Sequence, residues 1–330
     1  MKYLIIFSLL ISVNIVAIPI LVDVQISQKR GIEVEWKIEN QAENMRIELG
    51  CFHKKEKIVF ELDAKKISGD FGEITPKNSY KMVIAEEELI QDFGEYTIFP
   101  KLFFNDRIYY EMSKIPMGNY HLISENVIET IATKSFYVSK FEITNEQYLA
   151  FINSDGYDLK NFWNIAKDVM SNQEVGWNYQ GSLMMSKPKE WDFKLEPHWK
   201  NATSNFIYGP VTNIRWFEAN AFCNWMHGEL PNLTEMKVAF SVSIGKSVDF
   251  FESYYLNEQN RFPLQNVKSG VSEWLASGVP PVDISCAAGC NEMYFLKNNG
   301  EMRDEPFGYS VKCPLYRSPF LGIRMVIPSD

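Results

Sequence analysis

The stretch from Gly209 to Ala239, GPVTNIRWFEANAFCNWMHGELPNLTEMKVA, constrains the fold more than any other part of the chain. Pro210, Val211, Asn213 and Ile214 form an extended segment. After Arg215 the apolar period becomes helical, with Ala219, Phe222, Cys223 and Met226 on one face. That face belongs to a core. The helix is expected to stop at Met226-His227-Gly228, because glycine enters the left-handed cap conformation without steric cost and Pro231 cannot continue a helix. A second helix restarts at once. Asn232 and Glu235 have capping-box spacing, and Met236, Ala239, Phe240 and Ser243 carry the helical period onward. Nothing in this geometry is itself catalytic, since these residues serve packing, turns and caps.

At 330 residues the chain is long enough for two domains, and 46% hydrophobic residues suffice for packed cores. A formal net charge of -9 argues against nucleic acid or an anionic membrane as a partner, since both are recognised by basic surfaces. The N-terminus, MKYLIIFSLLISVNIVAIPI, has one lysine followed by an apolar run and a small residue, Ala17, placed for cleavage. This pattern predicts a signal peptide over 1–19, the alternative being an uncleaved membrane anchor. No later stretch is apolar enough to span a bilayer, so the mature chain is expected in a secreted, periplasmic or cell-envelope location.

From Val22 to Phe104 the apolar period is two: Val22, Val24 and Ile26, then Ile32, Val34, Trp36 and Ile38, then Met45, Ile47 and Leu49, then Tyr80, Met82 and Ile84. Turn-forming clusters separate these half-buried strands at the intervals of a sandwich, which predicts an immunoglobulin-like β-sandwich over 20–106. Around Asn105 to Ile131 the periodicity fades, as in a linker. It returns in SFYVSKFEITNEQYLAFIN, a strand handing over to a helix whose start is capped by Thr144 and Gln147. Between Asn153 and Tyr208 lies a long aperiodic stretch rich in aromatic residues. Trp177, Tyr179, Trp191 and Trp199 there are candidate ligand-binding residues, rigid amphipathic side chains that serve equally well to pack a loop onto a sheet.

Three segments together carry a family resemblance. The opening motif holds Phe136, Tyr137, Lys140, Phe141, Glu142, Thr144, Asn145, Gln147, Tyr148 and Phe151. The central stretch holds Pro210, Val211, Trp216, Ala219, Phe222, Cys223, Trp225, Leu230, Pro231 and Glu235. The C-terminal part holds Phe262, Leu264, Val271, Glu273, Trp274, Gly322, Arg324 and Val326. In order and spacing these resemble the sulfatase-modifying-factor family, the formylglycine-generating enzymes and their relatives. The resemblance implies an α+β architecture in which the N-terminal β-sandwich precedes an irregular, loop-rich domain of C-type-lectin-like fold over 107–330. Glu229, Leu233 and Met236 depart from the family wording in the central stretch.

In the active enzymes of that family two cysteines bind copper(I) and use oxygen to convert a substrate cysteine to formylglycine. Thiolates suit this soft ion. Among the five cysteines, Cys51, Cys223, Cys286, Cys290 and Cys313, the candidates for catalysis and for copper are Cys286 and Cys290. They sit closer together than the family pair, and the Arg-Gly-Gly-Ser segment that normally precedes it is not recognisable. A short disulfide, unlinked thiols and a metal pair all remain open for them. Calcium is the other cofactor the resemblance implies, through oxygen ligands in the 262–274 region, although Asn266, Ser269, Gly270 and Ser272 replace pattern residues there. The four histidines, His53, His121, His198 and His227, include no pair at helical metal-ligand spacing. Packing positions thus persist while chemical positions have changed. The sequence reading is therefore a non-catalytic binding or assembly scaffold with a protein or glycan partner at the cell envelope. A copper-dependent oxidase is the first alternative and a calcium-dependent ligand-binding module the second.

Overall fold

The computed structural model describes residues 18–56, 58–124, 127–163, 207–244, 271–279, 292–296, 309–312, 316–318 and 321–329. Eight strands build the N-terminal part: β1 (Ile20–Gln28), β2 (Ile32–Glu39), β3 (Met45–His53), β4 (Ile67–Gly69), β5 (Gly72–Ile74), β6 (Tyr80–Ile84), β7 (Tyr96–Phe104) and β8 (Arg107–Tyr109). They form two four-stranded antiparallel sheets, β1-β2-β6-β4 and β5-β3-β7-β8. The expected alternation is visible in β2, where Ile32, Val34, Trp36 and Ile38 are buried while the residues between them are at least partly exposed. Trp36 lies opposite Tyr80 in the register and stacks on it with ring centroids 5.7 Å apart. Residues of both sheets, among them Val34, Met82, Ile47 and Leu102, belong to one buried cluster, the signature of a sandwich core.

The stretch expected to be a linker is strand instead. Asn105 and Asp106 both have positive φ, 49° and 61°, and form the two-residue turn of the β7–β8 hairpin. The seam expected between 106 and 107 therefore falls inside that hairpin. Beyond it run β9 (Met112–Ile115), β10 (Gly118–Ser124), β11 (Val127–Thr133) and β12 (Phe136–Ser139). Their periodicity is faint for a physical reason. β9 is short and buries a serine along with its apolar residues, and the β10–β11 hairpin places only Tyr120 and Ile131 in the core among its described side chains.

The C-terminal part carries the longer helices. After the short α1 (Glu87–Gln91) in the sandwich come α2 (Asn145–Asn153), α3 (Lys160–Trp163), α4 (Trp216–Trp225) and α5 (Leu233–Ile244). Five strands follow: β13 (Ser272–Val279), β14 (Glu292–Leu296), β15 (Tyr309–Lys312), β16 (Leu321–Gly322) and β17 (Val326–Pro328). They complete a sheet β17-β12-β9 and a second sheet β15-β14-β13-β16, so the last described strand, β17, pairs with β12. Among the described residues, no helix is long and apolar enough to cross a membrane.

Both expected capping boxes form. Thr144 Oγ1 accepts from Gln147 N at 3.3 Å while Gln147 Oε1 accepts from Thr144 N at 3.1 Å. Asn232 Oδ1 accepts from Glu235 N at 2.9 Å, and Glu235 Oε2 accepts from Asn232 N at 2.8 Å. Asn232→Ala is accordingly expected to lower stability by about 1 kcal/mol, measured by urea denaturation. The end of α4 differs from expectation. The left-handed residue is His227, with φ 58°, rather than Gly228. Gly228 N donates to Cys223 O and His227 N to Asn224 O, a Schellman closure with the histidine in the strained position. Glycine is needed one place later for space, since a Cβ on Gly228 would lie 2.6 Å from Met325 Sδ and 2.8 Å from Val326 O.

Candidate functional site

The residues that carry the family pattern meet in one knot. Thr144 bridges Pro210 and Glu229 bridges Val326, so the opening motif, the central stretch and the C-terminus are tied by backbone. Two tryptophans lock β13 onto the segment leading into α4. Trp274 Nε1 donates to Ile214 O at 3.0 Å, and Trp216 Nε1 donates to Leu275 O at 2.8 Å. Both indoles are buried, so each N–H needs such a partner. Glu142 from the opening motif accepts from Val271 N at 2.8 Å and thereby fixes the start of β13.

At the centre lies Arg324, with no exposed surface. Its Nε and Nη2 donate to Glu273 Oε1 at 3.0 and 2.9 Å, and its Nη1 donates to the carbonyls of Ser139 and Lys140 at 2.9 and 2.8 Å. The guanidinium thus joins β12, β13 and the C-terminal strands. A buried arginine is tolerable here because its charge faces a carboxylate and its remaining donors face carbonyls.

A second buried network runs through the helices. Tyr148 and Tyr157 hydroxyls are 2.8 Å apart, Tyr157 donates to Glu218 Oε1 at 2.9 Å, and Glu218 Oε2 accepts from Arg215 N at 2.8 Å. Burial first, and then the charge of Glu218, push both tyrosines well above their ordinary pKa, so they remain phenols at neutral pH. Sequence reasoning missed this network. Its one signal was an acid, Glu218, within an otherwise apolar helix start.

The expected site residues stand as follows. Cys286 and Cys290, the candidates for catalysis and copper, lie outside the described residues, as does Cys313. So do Trp177, Tyr179, Trp191 and Trp199, and the calcium-region positions Asn266, Ser269 and Gly270. The structure does give the frame of the cysteine segment. Val279 and Glu292 are paired across β13 and β14, so residues 280–291 connect the ends of adjacent antiparallel strands, and those strands hang from the Arg324 knot through Glu273.

The other cysteines are accounted for. Cys223 is buried on the inner face of α4 and burial raises its pKa well above the usual thiol value. Burial likewise pushes Cys51 up to about 12. Both remain thiols, with the inertness of structural cysteines. The described histidines sit on three separate elements: His53 on β3, His121 on β10 beside Thr130, and His227 at the end of α4.

Comparison with known proteins places this knot in a family. The sequence profile of the sulfatase-modifying factor enzyme 1-like domain matches residues 102–292. A hercynine oxygenase of Mycolicibacterium thermoresistibile is 23% identical over 125 residues, covering 36% of this chain and 25% of that protein. The chain therefore spans about a quarter of the length of that curated relative. Among solved structures, Treponema denticola variable protein 1 aligns with a TM-score of 0.38 and 13% identity over 71% of this chain and 96% of its own. CarF aligns with a TM-score of 0.41 and 15% identity over 67% of this chain and 98% of its own. Since the profile matches more than half of the sequence, the chain belongs to the sulfatase-modifying factor enzyme 1-like domain family.

Proposed function

We propose that this chain is an exported binding or assembly module in which the sulfatase-modifying-factor scaffold operates without formylglycine chemistry. The observation that carries the reading is the engagement of the retained family residues in the fold itself. Glu142, Glu273, Arg324, Trp216 and Trp274 hold the scaffold through internal hydrogen bonds, while the sequence positions tied to copper chemistry have changed. A fold kept for its shape serves recognition, and the aromatic-rich 164–206 segment supplies candidate contacts through Trp177, Tyr179, Trp191 and Trp199. The partner class is a protein or glycan at the cell envelope, reached after removal of the apolar N-terminal segment.

The test is an activity assay. Purified protein incubated with copper(I), oxygen and a peptide bearing Cys-x-Pro-x-Arg is expected to give no aldehyde by mass spectrometry. An aldehyde that forms with the wild type and disappears in Cys286→Ser overturns the reading.

The second reading, a copper-dependent oxidase using Cys286 and Cys290, is favoured by one feature. Both cysteines fall in the segment that joins the paired ends of β13 and β14. The donor set suits a soft ion. The mycobacterial relative, a hercynine oxygenase, belongs to this broad class of oxygen chemistry, over the quarter of that protein that aligns. The calcium-dependent module is separated from both by calorimetric titration with calcium, which in that case gives a saturable heat.

A further inference from the structure

The sandwich and the family half meet along a seam where a lysine is almost wholly buried. Lys101, on β7, is 6% exposed, and its side chain leaves the outer face of the β5-β3-β7-β8 sheet toward the first turn of α2. Its Nζ lies 2.9 Å from Glu146 Oε1 and 3.9 Å from Glu48 Oε2 on β3. The rings of Phe103 and Tyr208 flank the ammonium at 5.7 and 5.6 Å. The other oxygen of Glu146, Oε2, accepts from the hydroxyl of Tyr110. Tyr110 is itself buried, and burial together with the adjacent carboxylate keeps it a phenol and hence a donor.

We propose that Lys101 and Glu146 condense to an isopeptide bond that joins the sandwich covalently to the family domain. The ion pair differs from a reactive amine and carboxylic acid by the position of one proton. Moving that proton along the Nζ–Oε1 hydrogen bond leaves a neutral amine against a neutral carboxylic acid. The nitrogen lone pair then attacks Cδ of Glu146. The charge that develops on Oε2 is met by the Tyr110 hydroxyl, a donor already aimed at that atom. A proton passes from nitrogen to the departing Oε1 hydroxyl, and Glu48, the second carboxylate within reach of Nζ, is placed to relay it. The C–N bond forms, the C–Oε1 bond breaks and one water leaves, so no oxidant, reductant or external co-reactant is required. Oε2 remains as the amide carbonyl with its tyrosine donor.

The surroundings distinguish this lysine from the surface pairs of the same sandwich. Lys81 meets Glu33 and Glu35 with its side chain 44% exposed, and Lys66 meets Glu86 at 43%, whereas the Lys101 side chain is 8% exposed. Glu48 also pairs with Arg46. The product would tie β7 to α2 across the seam and restrict the unfolded chain as a disulfide does, without a redox-sensitive bond.

Intact-mass spectrometry on the purified full-length chain tests this. The wild type is expected to be lighter than its sequence by one water, and tryptic digestion should yield a branched peptide joining the Lys101 and Glu146 segments. Lys101→Arg keeps the cation and the ion pair, so it should fold, yet show the full sequence mass and no branched peptide. Glu48→Gln should form the bond more slowly or incompletely. Recovery of the Lys101 and Glu146 peptides unbranched from folded wild type overturns the proposal. So does a water deficit that persists in Lys101→Arg, and an undiminished yield in Glu48→Gln overturns the role given to Glu48.

Discussion

Arg324→Met is expected to lower the unfolding free energy by about 3–5 kcal/mol, the usual cost of removing one partner from a buried pair. The side chain has no exposed surface, and its loss leaves the Glu273 carboxylate, 2% exposed, as an uncompensated charge. It also strips the carbonyls of Ser139 and Lys140 of their donor. Glu273 Oε2 already lacks a hydrogen bond to any described residue, so no spare partner is in place to take up the deficit. Adding Glu273→Leu should recover part of the loss, because the stranded charge disappears while the two carbonyls stay unsatisfied. Urea denaturation of the single and double variants measures both effects. A single-variant change below about 1 kcal/mol would show that the pair is not holding the knot.

Gly322→Ala should have a comparable effect through sterics alone. A Cβ at that position would lie 2.5 Å from Val211 O and 2.8 Å from Val271 Cγ2. The first contact is backbone and cannot rotate away. Since β16 is pinned in parallel register to β13 at Ser272–Leu321 and Glu273–Gly322, relief requires the strand to move away from its partner. Overpacking of this kind costs about 1–3 kcal/mol, and a backbone obstacle argues for the upper end. Gly94→Ala is the control, because nothing lies within 4 Å of the corresponding Cβ. It should stay within about 0.5 kcal/mol of wild type in thermal or urea melts. Equal losses for the two glycines would rule out the steric account.

Both positions were visible in the sequence as part of the family's terminal pattern, but their reasons were not. A pattern records that Gly322 and Arg324 stand two apart near the C-terminus. It does not say that one makes room for Val211 and the other reaches back to Ser139, since those partners are remote in the chain. The capping boxes at Thr144 and Asn232 were fully legible because donor and acceptor lie three residues apart. The end of α4 was half legible. The sequence located the stop, but in the structure His227 takes the left-handed conformation, and Gly228 is needed for the space beside Met325 and Val326. The cysteine segment was legible only as residue types; what the structure adds is that its two ends are paired strands.

The sequence by itself determined the local and periodic features: the alternating strands of the sandwich, the two helices of the central stretch with their caps, and membership of the family. Each depends on neighbours within a few residues, where backbone geometry fixes which side chains share a face. Only the tertiary structure decided how the halves join. Lys101 meets Glu146, Arg107 donates to Trp225 O, Tyr137 bonds Glu39, and the stretch from 105 onward becomes strand rather than linker. Those pairings join residues far apart in sequence, and a charged side chain in an alternating strand carries no mark of the partner that will bury it. The same physics makes Lys101 informative once its surroundings are known. On a solvated face it would be one more surface cation, and beneath two aromatic rings, beside two carboxylates, it becomes a reactive group.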